Sequence, residues 1–426
     1  MHPTKTIVFG IPILVTALAA CSNVAEDTAR PSTAVAQPGP IATQEEPSTS
    51  DAESEPTTAA DESIIEAPSI QLGDISLTWE VQEVGEGIKP AFAIDENGVA
   101  HVTFLTEADH GGLFYAQNRN GDFEVETVVE GYFYGPIDLA LNPSGEPLIA
   151  YHDHQGLQFD PALGDEVIAQ LTQSGWELTT VSDDGHDGWD NSIVVDEAGV
   201  WHTAAIDPSQ FGSGSGVEYA TLVDGAVVVV EVGSGSIKYE FATSIQLDPS
   251  GSPAIAYYND RDQQLEFASL GAGGWSVEVV DNQGDVGRYA SLAFDTDGTA
   301  HIAYFVAEGR ESGAVFGTVR HAWQDASGWQ IEAVGTLQNI RMGSPGARKI
   351  TSLAFDGQGT LHLAYTDRDQ LIYAQKTDEG WIGQEVVEPG SVVLGQLVEL
   401  AIDAEGSPHL IWYEAADIVR YAAGSG

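Results

Sequence analysis

Residues 351–387, TSLAFDGQGTLHLAYTDRDQLIYAQKTDEGWIGQEVV, read as four short β-strands. SLAF, LHLAY, LIYA and WIGQEVV are aliphatic and aromatic, and GQG, TDRDQ and KTDEG between them are turn chemistry. The first turn has the form D-x-x-G. That form recurs along the chain, opening at Asp95, Asn142, Asp196, Asp248, Asp295, Asp356 and Asp403, with steps of 47, 54, 52, 47, 61 and 47 residues. A period in this range, filled by four strands, is the mark of a β-propeller blade. The expected fold is therefore all-β: a seven-bladed β-propeller of four-stranded blades.

The copies agree in ways that scaffold explains. An Asp that opens a tight turn accepts backbone N–H groups across it, and the closing Gly supplies the positive φ. These acids are read as turn braces rather than metal ligands. Five units carry His six residues after the acid, namely His101, His202, His301, His362 and His409, while Leu148 and Ala254 stand in the other two. Equivalent positions spread around a ring do not converge, so these histidines are expected between blades with their ring nitrogens satisfied. Most fourth strands carry an aromatic with Val five residues on, as in Trp176 and Val181 or Trp381 and Val386. These aromatics are expected as core staples. Unit three departs, with VVVVEV at 227–232 and no aromatic.

The seventh unit supplies only three strands before the chain reaches Gly426. The stretch LTWEVQEV, 77–84, places Trp79 and Val84 at the fourth-strand spacing. The last blade is thus expected to be closed by the N-terminal strand, leaving no open edge in the ring.

The repeat text, as in GDVGRYASLAFDTDGTAHIAYF, resembles bacterial secreted propeller repeats of the pattern D-x-x-G-x-P/A-H-I-A-Y, which are BNR- or NHL-like and related to the sialidase-type superfamily. The resemblance covers about residue 75 to the end. It implies a fold and leaves the activity open. The strict S-x-D-x-G-x-x-W box of that superfamily is not matched.

Ahead of the repeats, residues 1–20 read as an export signal: Lys5, then an apolar run broken by Gly10 and Pro12. It ends Leu18-Ala19-Ala20-Cys21, which resembles a bacterial lipobox, so Cys21 is the expected lipidation site. It is the sole cysteine, which leaves none for a disulfide. Residues 21–74 are rich in Ala, Thr, Ser, Pro and Glu and lack periodicity, as a tether would. The expected location is the outer membrane or cell surface of a bacterium, with the membrane engaged through lipid alone. The propeller is assigned to 75–426.

With 65 acidic against 15 basic residues the net charge is −50. Such a chain repels nucleic acid and anionic headgroups, and suits a saline medium, cations or cationic partners. A monomer is expected. Chemistry should sit where the copies disagree, in the loops between second and third strands and between blades, which share one face of a propeller. On those loops Trp189, Tyr258, Arg288, Tyr289, Arg348 and Lys349 are the candidate ligand contacts. Calcium is the expected ion, with Asp183, Asp184, Asp187, Asp190, Asp260 and Asp262 as candidate ligands, although none of these matches an EF-hand. The chain holds no G-x-S-x-G, H-E-x-x-H or phosphate loop. The sequence therefore points to a surface-anchored module that binds a glycan, a protein or an envelope polymer. The alternative is a sialidase-like or other glycan-acting hydrolase or lyase on the same scaffold.

Overall fold

The computed structural model describes residues 70–73, 75–106, 111–131, 133, 135, 137–153, 164–182, 188–207, 216–234, 243–341 and 349–426. These form seven sheets in a ring, each with four antiparallel strands, and no helix is present among the described residues. Blade one runs Ile88–Ile94, Ala100–Thr106, Gly112–Gln117 and Glu124–Glu130. The other inner strands are Asp138–Leu141, Trp189–Val195, Ser244–Leu247, Val286–Phe294, Thr351–Phe355 and Leu394–Ile402. Each inner strand touches the next, and Leu394–Ile402 touches Ile88–Ile94, which closes the circle.

The closure expected from Trp79 and Val84 is present. Thr78–Glu86 pairs antiparallel with Ile418–Ser425 and forms the outer strand of blade seven. The chain does more before it arrives there. Gln71–Leu72, read from sequence as the end of the tether, lies parallel on Gly380–Val387 as a fifth strand of blade six. Gly383 makes the room, since a Cβ there would meet Ile70 Cδ1 at 2.7 Å. The Gln384 amide then grips the Leu77 backbone from both sides, at 3.0 and 2.9 Å.

The turn acids and histidines form one repeated brace. In blade six Asp356 Oδ1 accepts the amides of Gln358 and Thr360, and Gly359 has φ +85°. Asp356 Oδ2 faces His362 Nε2 at 3.3 Å, and His362 Nδ1 meets the Tyr373 hydroxyl at 2.6 Å. The same Asp–His–Tyr set recurs at Asp95, His101 and Tyr115, at Asp196, His202 and Tyr219, and at Asp403, His409 and Tyr421. Blade five puts His321 where the others have Tyr. His301 bonds His321 at 3.0 Å, and His321 bonds Glu332 at 2.9 Å. Burial, with the neighbouring His321, pushes His301 down to about 4.

The fourth-strand aromatics join blades rather than fill them. Trp176 meets Tyr115 of the preceding blade edge-on at 5.4 Å, and Trp275 meets Tyr219, Trp329 meets Phe267, Trp381 meets His321, Trp79 meets Tyr373 and Phe123 meets Tyr421 in the same way. Of these only Trp381 is fully buried; the others are half-buried and pack against the core clusters from the seams, staples at the edge of the core rather than inside it. Unit three's missing aromatic is also explained. The seam between blades two and three is an apolar cluster of Leu148, Ile168, Val227 and Trp201, in which Trp201 is 3 % exposed. The aromatic has moved from the outer strand to the second, opposite a blade that has given up both His and Tyr.

Candidate functional site

Connections between second and third strands and from blade to blade share one rim, called here the upper face; the D-x-x-G turns lie on the lower face. Along the channel the inner strands present a single column, four residues before each turn acid: Ala91, Asp138, Ser192, Ser244, Ser291, Ser352 and Glu399. Each oxygen in this column accepts an amide of the next blade. Ser192 Oγ takes Ile245 N at 3.1 Å, Ser244 takes Leu292 N at 3.0 Å, Ser291 takes Leu353 N at 2.9 Å and Ser352 takes Leu400 N at 2.9 Å. Asp138 Oδ2 takes Ile193 N at 2.9 Å, and Glu399 Oε2 takes Phe92 N at 3.0 Å. Ala91 has no oxygen to offer, so the seam between blades one and two lacks this latch.

The second carboxylate oxygens converge. Lys349, from the strand entry of blade six, places Nζ 2.9 Å from Asp138 Oδ1 and 2.7 Å from Glu399 Oε1. All three side chains are largely buried. The group lines a channel cavity of about 170 Å³, together with the four serines. Burial, reinforced by the Asp138 charge and opposed by Lys349, pushes Glu399 up to about 7. The two carboxylates hold Lys349 charged well above its ordinary range in spite of burial. Serine makes the same latch in four blades. The ring therefore has no need of carboxylates, and an Asp, a Glu and a Lys around one Ala are a departure that the latch does not explain. Sequence reasoning named Lys349 and missed Asp138 and Glu399; reading the column four residues before the turn acid would have found them.

The structure brings a second set of candidates together at the seam of blades four and five. The Tyr258 hydroxyl donates to Asp285 Oδ1 at 2.7 Å, and Arg288 grips Asp285 with Nε at 2.8 Å and Nη2 at 2.5 Å. The Arg288 guanidinium also lies 5.3 Å from the Tyr258 ring centre. Burial and the bond to Asp285 push the Tyr258 phenol far above its usual range. Tyr258 and Tyr289 are both 0 % exposed, so neither offers an open aromatic platform. Tyr289 instead joins blades, its carbonyl accepting the Thr351 hydroxyl at 2.5 Å from a backbone φ of +58°.

Arg348, Asp183, Asp184 and Asp187 lie outside the described residues, and Trp189 is described only as backbone at the start of its strand. Asp190 is buried at a φ of +49°. Asp262 accepts the Asn259 side-chain amide at 3.3 Å, bracing its own turn beside Asp260. Among the described residues no three His, Cys, Asp or Glu side chains converge as a metal site. No helix among them is long and apolar enough to cross a membrane.

No family model matches the chain, and no curated protein matches it. Solved structures do share its fold. An ulvan lyase of polysaccharide lyase family PL25, solved bound to -[GlcA(1-4)Rha3S]-, aligns with a TM-score of 0.56 at 13 % identity over 80 % of this chain and 94 % of the lyase. The polysaccharide lyase Uly1 aligns with a TM-score of 0.50 at 9 % identity over 85 % of this chain and 94 % of its own. At these identities the likeness is one of fold.

Proposed function

We propose that the protein acts on a polysaccharide, with the upper end of the channel as its site. The observation that carries this is the meeting of Asp138, Lys349 and Glu399 at a step where the ring elsewhere uses serine. Such a set has the parts for cleaving a glycosidic linkage. Burial favours the protonated form of Glu399, the form that can donate a proton, against the pull of Lys349. Asp138 is an acceptor on the facing blade, and Lys349 can stabilise negative charge as it develops. The fold shared with two polysaccharide lyases supports a glycan-acting reading over simple binding. In this reading the protein is exported and held at the cell surface by a diacylated Cys21.

The test is to incubate the mature protein with uronate, sulfated and neutral polysaccharides. Elimination is read as ultraviolet absorbance of the unsaturated uronate, and hydrolysis as reducing ends without it. Turnover that Glu399→Gln and Asp138→Asn abolish, in proteins that still melt cooperatively, supports the reading. Turnover untouched by both sinks the site, and no turnover on any class sinks the enzyme. Loss of membrane attachment in Cys21→Ala tests the anchor.

One observation favours a second reading, in which the propeller binds a glycan without cleaving it. Both oxygens of Asp138 and of Glu399 are already taken, by the Ile193 and Phe92 amides and by Lys349, a pairing that fixes geometry and blunts a carboxylate as a base. Binding without turnover in the same panel would select it.

A further inference from the structure

The scarce basic residues are not spread over the propeller. Among the described residues, Lys89, Arg261, Arg288, Arg310, Arg341, Lys349, Arg368 and Arg420 lie on strand ends or loops toward the upper face, Arg320 lies in mid-strand below them, and only Arg119 and Lys376 lie toward the lower face. Several of the upper ones, and Arg320, are spent on the fold. Arg288 is held by Asp285, Arg320 by Asp281, Arg420 by Glu414 and Glu83, and Lys349 by Asp138 and Glu399.

Four are not spent. Arg261, Arg310, Arg341 and Arg368 have no carboxylate within ion-pair distance among the described residues, and they sit on consecutive blades. Arg261 is in the loop after Asn259 of blade four, and Arg310 ends the second strand of blade five, Ala300–Glu311. Arg341 follows that blade's outer strand, Gly328–Ile340, and Arg368 is in the corresponding loop of blade six. Register brings three of them to one stretch of rim. Arg310 pairs with Val315 and Val315 with Ile340, so Arg310 and Arg341 stand two strands apart. The Arg368 amide donates to Asn339 O at 3.4 Å, two residues from Arg341.

Four of the acids nearby, Asp367, Asp369, Glu308 and Asp262, are engaged elsewhere, and among the described residues there only Glu311, exposed beside Arg310, is not. Asp367 is 1 % exposed and takes the amides of Gln338, Asn339, Asp369 and Gln370. Asp369 Oδ2 takes the Asn339 amide at 2.8 Å, and Glu308 takes the Thr318 hydroxyl at 2.6 Å. Asp262 takes the Asn259 amide. Among the described residues of a chain of net charge −50, four of the five guanidinium groups without an acid partner stand on one arc of the upper face, Arg119 alone lying on the lower. Such an arc suits planar anions, which arginine holds in a two-pronged grip.

We propose that the upper rim of blades four to six is a binding site for a polyanionic polysaccharide, whose carboxylate or sulfate groups are held by Arg261, Arg310, Arg341 and Arg368. This rests on the reading that the protein handles glycans, and it names the class. The body's negative charge works against such a ligand over long range. Salt screens that repulsion, with a Debye length near 10 Å at about 0.1 M and near 3 Å at about 1 M. Contacts at the rim then decide.

The test measures binding of the mature protein to dextran, dextran sulfate and polygalacturonate in about 0.2 M salt. Binding of either charged polymer and not of dextran is expected, and the two charged arms separate sulfate from carboxylate recognition. The double variant Arg310→Gln, Arg341→Gln should weaken binding at least about tenfold, and Arg119→Gln on the lower face should leave it unchanged. Equal binding of dextran, unchanged affinity in the double variant, or equal weakening by Arg119→Gln overturns the inference. Cleavage of a neutral glycan that the arginine variants do not alter would sink this inference alone. No binding or cleavage of any polysaccharide by a cooperatively melting protein would sink the glycan reading with it.

Discussion

Lys349 Nζ stands 2.9 Å from Asp138 Oδ1, although 211 residues separate them in sequence. The same ammonium reaches Glu399 on blade seven. One side chain from blade six thus bridges blades seven and two, across the seam where Ala91 leaves the amide ring unlatched. Removing the cation leaves two buried carboxylates facing each other, and breaking a buried pair from one side costs about 3–5 kcal/mol. Lys349→Met is therefore expected to melt well below the parent, and adding Asp138→Asn and Glu399→Gln should restore much of the loss. Thermal denaturation of the single and triple variants checks this; a single variant as stable as the parent contradicts it.

The serine column makes a smaller prediction that can be checked blade by blade. Ser291→Ala removes the oxygen that accepts Leu353 N, and Ser352→Ala removes the one that accepts Leu400 N. Each should cost about 1–3 kcal/mol, because the amide is left unpaired in a partly buried channel. Ala91→Ser should run the other way and gain up to about 1 kcal/mol by supplying the missing latch. Chemical denaturation at constant m-value is the measurement. A destabilising Ala91→Ser would mean that Lys349 needs the space.

Closure by the N-terminal strand predicts an all-or-none effect. Deletion through Gly87 strips Ile418–Ser425 of its partner and opens the ring. The product should be insoluble or melt without cooperativity, while deletion up to Ser69 should fold. A sharp melting transition in the longer deletion would contradict the closure.

Stability should fall on mild acidification. Burial depresses His101, His202, His301, His321 and His362 below the ordinary imidazole value, His301 to about 4. A base depressed in the folded state contributes stability that is present above its unfolded value of 6.5 and is lost as pH falls through the folded one. Glu399 acts in the opposite sense, since its pKa is raised from 4.5 to about 7 and it penalises the fold as pH rises through that window. Five imidazoles outweigh one carboxyl, so the melting temperature should drop between about pH 6.5 and 4. His362→Gln should flatten that drop; a melting temperature independent of pH across the window would show that the histidines are not held neutral.

Trp381 is 1 % exposed, meets His321 edge-on and donates to Glu332 at 2.9 Å. Trp381→Ala should cost about 3–5 kcal/mol. Trp275→Ala, at a half-buried seam, should cost clearly less, and equal losses in denaturation would mean that both are core residues.

The sequence by itself determined the repeat, the number of blades and the strand that closes the ring. It could do so because strand patterning, turn chemistry and a period near 50 residues are local properties, written again in each copy. Asp356, His362 and Trp381 could be assigned to scaffold for the same reason, since each recurs where a blade needs it. Only the tertiary structure decided what departures from the repeat mean. Trp201 is a substitute for a missing outer-strand aromatic because blades two and three face each other. Asp138, Lys349 and Glu399 form a group because a ring brings 211 residues of separation down to a hydrogen bond. The unpaired arginines form an arc because consecutive blades present their loops side by side. Side-chain convergence depends on how the ring closes, and no window of sequence contains that information.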